Sequence, residues 1–199
     1  MKLRQRFTYA VATALGASLA AAAPAAAHDS KISYDRFFSA GDWTIMANVG
    51  AAGIGAEDAS GDYEMGGFIA GGLEAGYFVT DNIAIGIAAT AQHFDVDTVS
   101  ATGIGLLPNV NYFFDGLDHF VPYLGVHAGY SYYDVDVDGT NVDDDDDGFA
   151  YGAQVGAAIP LNGYSFVDVR LTYSRIDLDV GRTEIEDLVL FNLGYRLKF

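Results

Sequence analysis

The 199-residue sequence has no cysteine, so disulfides and thiolate metal sites are excluded. It is poor in positive charge: ten Lys and Arg stand against 27 Asp and Glu, a formal net charge of −17. Nucleic-acid binding rests on cationic patches, so no nucleic-acid partner is expected. Beyond residue 27 no apolar run approaches the ~20 residues of a membrane helix. No glycine-rich phosphate loop and no zinc-like histidine spacing appear.

What is present is glycine (24), tyrosine (13) and phenylalanine (13), within a chain that is 51% hydrophobic. The apolar residues must therefore be gathered away from the acidic ones. The N-terminus reads as a secretory signal peptide. Lys2, Arg4 and Arg6 precede a small, apolar stretch, and Ala25-x-Ala27 supplies a cleavage pattern. Cleavage after Ala27 removes three of the ten basic residues and leaves seven against 27 acids, a net charge of −20. Residues 28–41 form a lead-in with little pattern, with Phe37 and Phe38 assigned to a membrane edge. Residues 42–199 suit one domain.

The last stretch, 188–199, sets the theme. Leu193, Tyr195, Leu197 and Phe199 share one parity, while Asn192, Gly194, Arg196 and Lys198 share the other. This is the period-2 alternation of a strand with one apolar face. The same pattern recurs over 43–51, 67–79, from 83 to 92, and over 104–114, 122–132, 151–159 and 167–174. Pro108 counts against a central strand unless a bulge absorbs it. Short turns are read at 80–82, 115–119 and 160–163, and longer, mostly acidic connections elsewhere, among them an acidic loop over 134–148. A tilted membrane strand needs ~9–11 residues. Short turns on one side, long loops on the other and no edge tolerated in lipid predict an all-β fold: an eight-stranded antiparallel up-and-down transmembrane β-barrel. A soluble sandwich matches the strand number but not one uniformly apolar face. The 188–199 strand is expected to close onto 43–51.

Parity then sorts the side chains. The lumen receives Asn48, Gln92, Asn109, Asn111, His127, Gln154 and Asn192, together with Glu74, Asp168, Arg170 and Arg196. The last four lie near the short-turn ends of their strands and are predicted to form one charge network, since buried charges must pair. The network reads as a structural plug, or alternatively as a gated polar path. Aromatics sort to two heights on the outer face: Trp43, Tyr77, Tyr112, Phe114, Tyr195 and Phe199 low, and Tyr130, Tyr132, Tyr151 and Tyr173 high. Such girdles mark the two interfaces of a bilayer.

Above the upper girdle the alternation continues. Val96, Val135, Val137, Ile176, Leu178 and Val180 are expected to point inward as an apolar mouth, with aspartates outward. The outward carboxylates form a solvated rim, or hold Ca2+ or Mg2+ that bridges to lipopolysaccharide phosphates. Asp134-x-Asp136-x-Asp138-Gly139, with Asp145, matches the acidic positions of a calcium loop but has no helical flanks. No cofactor is otherwise expected. Catalysis would need a histidine beside a nucleophile or acid. His28 lies off any strand, His93 faces lipid near Asp95, and His127 faces the lumen among polar neighbours, so no enzyme is expected.

The stretches LEAGYFVTDNIAIGIAAT (73–90), LLPNVNYFF (106–114) and PYLGVHAGY (122–130) resemble strands of the small outer-membrane β-barrel proteins of Gram-negative bacteria, the OmpA/OmpX/OmpW-like group. The ending Asn192-x-Gly194-x-x-Leu197-x-Phe199 resembles that group's C-terminal signal for the barrel-assembly machinery. The resemblance implies an integral outer-membrane location, contact with lipopolysaccharide and a monomer. It implies a non-catalytic structural or surface-interaction role. The alternative is a narrow porin-like channel, or an OmpW-like carrier of small apolar solutes.

Overall fold

The computed structural model describes residues 37–57, 63–96, 99–114, 119–137, 143–180 and 183–199. Side chains are described over 37–52, 67–93, 100–114, 119–134, 147–175 and 188–199. Eight strands follow in order: β1 (Trp43–Glu57), β2 (Tyr63–Phe78), β3 (Ile83–Val96), β4 (Val99–Phe113), β5 (Val121–Val137), β6 (Asp143–Pro160), β7 (Ser165–Val180) and β8 (Thr183–Lys198). No helix occurs among the described residues. Each strand pairs antiparallel with its sequence neighbour, and the sheet closes into a barrel. The seam joins β1 to β8 from Thr44↔Lys198 to Ala51↔Phe191.

Alternation produces this closure because the two faces meet different solvents. Along β5, Tyr123, His127, Ser131 and Tyr133 are buried, while Leu124, Val126, Tyr130 and Tyr132 are exposed. The sorting is the reverse of a soluble domain: Val126 is 59% exposed and Arg196 only 1%. An apolar outer face over a polar interior is stable only with hydrocarbon outside.

The strands run longer than their alternation suggests, from 14 residues in β3 to 18 in β6. At ~3.3 Å per residue and a tilt of ~40°, 16 residues rise ~40 Å, well beyond the ~25 Å apolar band. The expected acidic loop over 134–148 is thus mostly ladder: Asp134 pairs with Asp145, and Asp136 with Asp143. The expected loop near 98–102 largely belongs to β4, and Pro160 ends β6 instead of opening its turn.

Pro108 sits within β4 and needs no bulge. Its pairing to β3 is continuous through Ile87↔Pro108. Toward β5 the ladder passes from Leu106↔Tyr130 to Asn109↔His127, three residues on each strand, so the register is kept while the pairing is interrupted. Gly129 lies opposite this gap, where a Cβ would stand 2.1 Å from the Leu106 carbonyl oxygen. The interruption removes the ladder bond that a proline nitrogen has no hydrogen to make. A register shift does occur in β7, between Arg175 and Leu178.

Candidate functional site: the plugged lumen

The lumen is layered, and each layer follows from register. At the short-turn end, Phe78 of β2, Phe113 of β4 and Phe166 of β7 converge, all nearly fully buried. Phe38, from the segment before β1, stacks on them. Its ring lies 4.5 Å from Phe78 at 9°, 4.8 Å from Phe166 and 5.0 Å from Phe113. The expectation of a membrane-edge Phe38 is corrected here: it is 3% exposed, inside the barrel end. The ring enters because residues 37–42 hook under the wall. Gly41, at φ 98°, makes the turn, a conformation that favours glycine. Gly41 N–H donates to the Phe78 carbonyl and Phe78 N–H to the Asp42 carbonyl. Ala40 N–H donates to Asp81 Oδ1, and Lys198 Nζ donates to the Phe37 carbonyl at 2.8 Å and pairs with Asp42 at 3.5 Å.

Above the aromatic layer lies the charge layer. Arg196 of β8 and Glu74 of β2 flank Met46 of β1 in one cross-strand row. Arg196 Nη2 donates to Asp168 Oδ2 at 3.0 Å and approaches Glu74 Oε1 at 3.9 Å. Arg170 Nη1 donates to Glu74 Oε2 at 2.9 Å and to Gln154 Oε1 at 3.2 Å. The structure thus brings all four predicted network residues together, none more than 7% exposed. Tyr123 joins them, its hydroxyl donating to Asp168 Oδ1 at 2.7 Å. The Arg196 guanidinium also lies 5.6 Å from the Phe113 ring centre, tying the two layers. Tyr123 fits because it lies flat over Gly156, where a Cβ would stand 2.6 Å from its ring.

Higher still is a polar chamber of about 70 Å³, bounded by side chains including Asn48, Glu74, Thr90, His127, Arg170 and Asn192. His127 Nε2 meets Ser174 Oγ at 3.0 Å on its wall. An apolar cluster borders it above, formed by Phe68, Ala101, Tyr133, Ala150, Leu188 and Leu190. The Tyr133 hydroxyl accepts from Gln92 Nε2 at 2.6 Å.

Sequence reasoning did not assign Phe38, Tyr123 and Gln154 to the plug. Tyr123 and Gln154 carried the lumen parity, so their face was legible but not their partners. The paired Phe37–Phe38 just before a strand was the available signal for the lid. Of the proposed cation loop, Asp134 is exposed and lies opposite Asp145 in the ladder. Asp138 and the side chains of Asp136 and Asp145 lie outside the described residues. No group of three metal-ligating side chains occurs among the described residues. The expected mouth side chains, Val96, Val135, Val137, Ile176, Leu178 and Val180, also lie outside them, as do the signal segment and His28. His93 is half-buried on the outer face, its Nδ1 3.0 Å from Thr102 Oγ1.

The proposed assembly-signal residues line the seam. Asn192 Nδ2 donates to Thr172 Oγ1 at 3.1 Å inside the barrel. Gly194 sits opposite Asn48, where a Cβ would be 3.0 Å from the Ala47 carbonyl oxygen. Leu197 pairs with Ile45. The Phe199 backbone exchanges hydrogen bonds with Trp43 at 2.9 and 3.2 Å, leaving its ring on the outer face, 67% exposed.

Comparison with known proteins agrees with this architecture. The family model described as outer membrane protein beta-barrel domain matches residues 12–199. Neisserial surface protein A is similar at 18% identity and TM-score 0.62, with 80% of this chain and 99% of that one covered. The outer membrane protein OprG from Pseudomonas aeruginosa is similar at 16% identity and TM-score 0.56, covering 83% and 99%. Ail, the attachment invasion locus protein of Yersinia pestis, is similar at 12% identity and TM-score 0.52, covering 80% and 99%. At these identities the likeness is one of fold. No curated protein sequence matches.

Proposed function

Because the chain belongs to the outer membrane protein beta-barrel domain family, which implies an integral outer-membrane location, we propose that it is a non-catalytic, non-conducting structural barrel whose acidic hairpins form an interaction surface. One observation carries this reading: the short-turn end of the lumen is filled. Phe38 stacks on Phe78, Phe113 and Phe166 directly beneath the Arg196–Asp168 and Arg170–Glu74 pairs. An interior of eight strands is just wide enough for side chains to fill, and here they fill its short-turn end.

A carrier of apolar solutes is less well supported, since at mid-height the lumen is polar and an apolar solute would strip its hydrogen bonds. An enzyme is less well supported too. The His127–Ser174 pair faces a chamber of about 70 Å³, too small for a lipid or peptide substrate. In this reading the signal segment is cleaved after Ala27, the barrel-assembly machinery reads Asn192, Gly194, Leu197 and Phe199, and the barrel is a monomer. The hairpin aspartates meet lipopolysaccharide through divalent cations.

Liposome swelling tests the proposal. Vesicles holding the refolded barrel should admit small sugars no faster than protein-free vesicles. Swelling that scales with protein content would refute it. Unchanged lipid A masses on overexpression are the matching expectation for the absence of catalysis.

A further inference from the structure

Residues 37–42 cross the short-turn end of the barrel and touch both arms of the sheet that meet at the β1–β8 seam. On the β1 arm, Phe38 stacks on Phe78 of β2 at 4.5 Å and meets Phe113 of β4 at 5.0 Å. Gly41 N–H donates to the Phe78 carbonyl at 2.8 Å, and Ala40 N–H to Asp81 Oδ1 in the β2–β3 turn at 3.0 Å. On the β8 arm, Phe38 stacks on Phe166 of β7 at 4.8 Å, and Phe37 meets the same ring edge-on at 6.2 Å. Lys198 Nζ of β8 donates to the Phe37 carbonyl at 2.8 Å. Asp42 Oδ2 ties the two arms together: it accepts from Ser39 N–H at 2.8 Å and pairs with Lys198 at 3.5 Å.

We propose that residues 37–42 are a post-closure clasp, which seats only once β8 has met β1 and then holds that junction shut. β1 and β8 are the first and last strands of the sheet, joined only by closure. Before closure, Phe78 and Phe113 stand on one arm and Phe166 and Lys198 on the other, so the socket for Phe38 does not exist. Loop-closure entropy sets the order, because contacts between distant strands follow the pairings that bring those strands together. The seam is also where a clasp has most to add. It carries eight register pairs, against fifteen between β1 and β2. Gly41 lets the chain reach the socket. At φ 98°, and with nothing within 4 Å of a Cβ, it is required for its backbone conformation and not for space.

A contact absent from the transition state for closure alters the opening rate and spares the assembly rate. The clasp therefore sets how long a finished barrel stays closed, whether or not its lumen conducts.

The test follows the chain from His28 onward as it refolds from urea into phosphatidylcholine vesicles and unfolds again in urea. Trp43, the single tryptophan, lies at the seam, 4.9 Å from Tyr77 and hydrogen-bonded through its backbone to Phe199. Its fluorescence reports closure, alongside the compact band of unheated samples on dodecyl sulfate gels. Phe38→Ala should speed unfolding roughly tenfold to a hundredfold, while refolding slows by a smaller factor or not at all. Gly41→Ala should give the same pattern at smaller size. Loss of the compact band in either variant, refolding slowed by as much as unfolding is sped, or unfolding no faster than in the natural chain would overturn the clasp.

Discussion

Arg170 reports most directly on the plug. It is buried, and its removal leaves Glu74, 3% exposed, without its 2.9 Å partner. Breaking a buried pair from one side costs ~3–5 kcal/mol, whereas replacing both partners by apolar groups of similar size is often neutral. Arg170→Ala should therefore lower unfolding stability in urea by about that amount. Arg170→Met combined with Glu74→Leu should recover most of it. Equal stability of Arg170→Ala and the natural barrel would show that the pair contributes nothing. Gly103 gives a second residue-scale prediction. Tyr133 lies against it, so that a Cβ there would stand 2.4 Å from the ring. Gly103→Ala should cost ~1–3 kcal/mol by overpacking. That loss should largely vanish in a Tyr133→Ala background, and additive losses in the double variant would contradict the contact.

At the scale of elements, the β5–β6 hairpin places like charges directly opposite each other, at Asp134↔Asp145 and Asp136↔Asp143. Such pairs destabilise a ladder by ~0.2–1 kcal/mol each. Protease nicking of this hairpin should fall as salt or Mg2+ is raised, and Asp143→Asn should lessen the effect. Indifference to ionic strength would remove the argument. The hairpin also shows why the element bounds were only partly legible. Acidic composition suggested a loop over 134–148, but backbone pairing continues wherever a partner strand is in register, whatever the side-chain charge. The lumen face of 188–199 was legible, because parity alone separates Arg196 from Tyr195. The Phe38 lid was not, because parity says nothing about a segment outside the strands. Its position depends on Gly41, Asp81 and Lys198, up to 161 residues away in sequence for the Lys198–Phe37 bond.

The whole molecule is a closed wall packed at the short-turn end of its lumen. Closure through Thr44↔Lys198 to Ala51↔Phe191 leaves no edge in the bilayer, and the β1–β8 seam is shorter than the 15-residue ladder between β1 and β2. A closed barrel resists dodecyl sulfate until heated, so unheated and boiled samples should migrate differently on gels. Identical mobility would count against closure. The layered lumen makes the stronger claim, and current across a planar bilayer tests it most directly, with calcium and without. The filled short-turn end predicts no discrete current steps above the bare-bilayer baseline in either condition. Reproducible unitary steps that depend on added protein would contradict it.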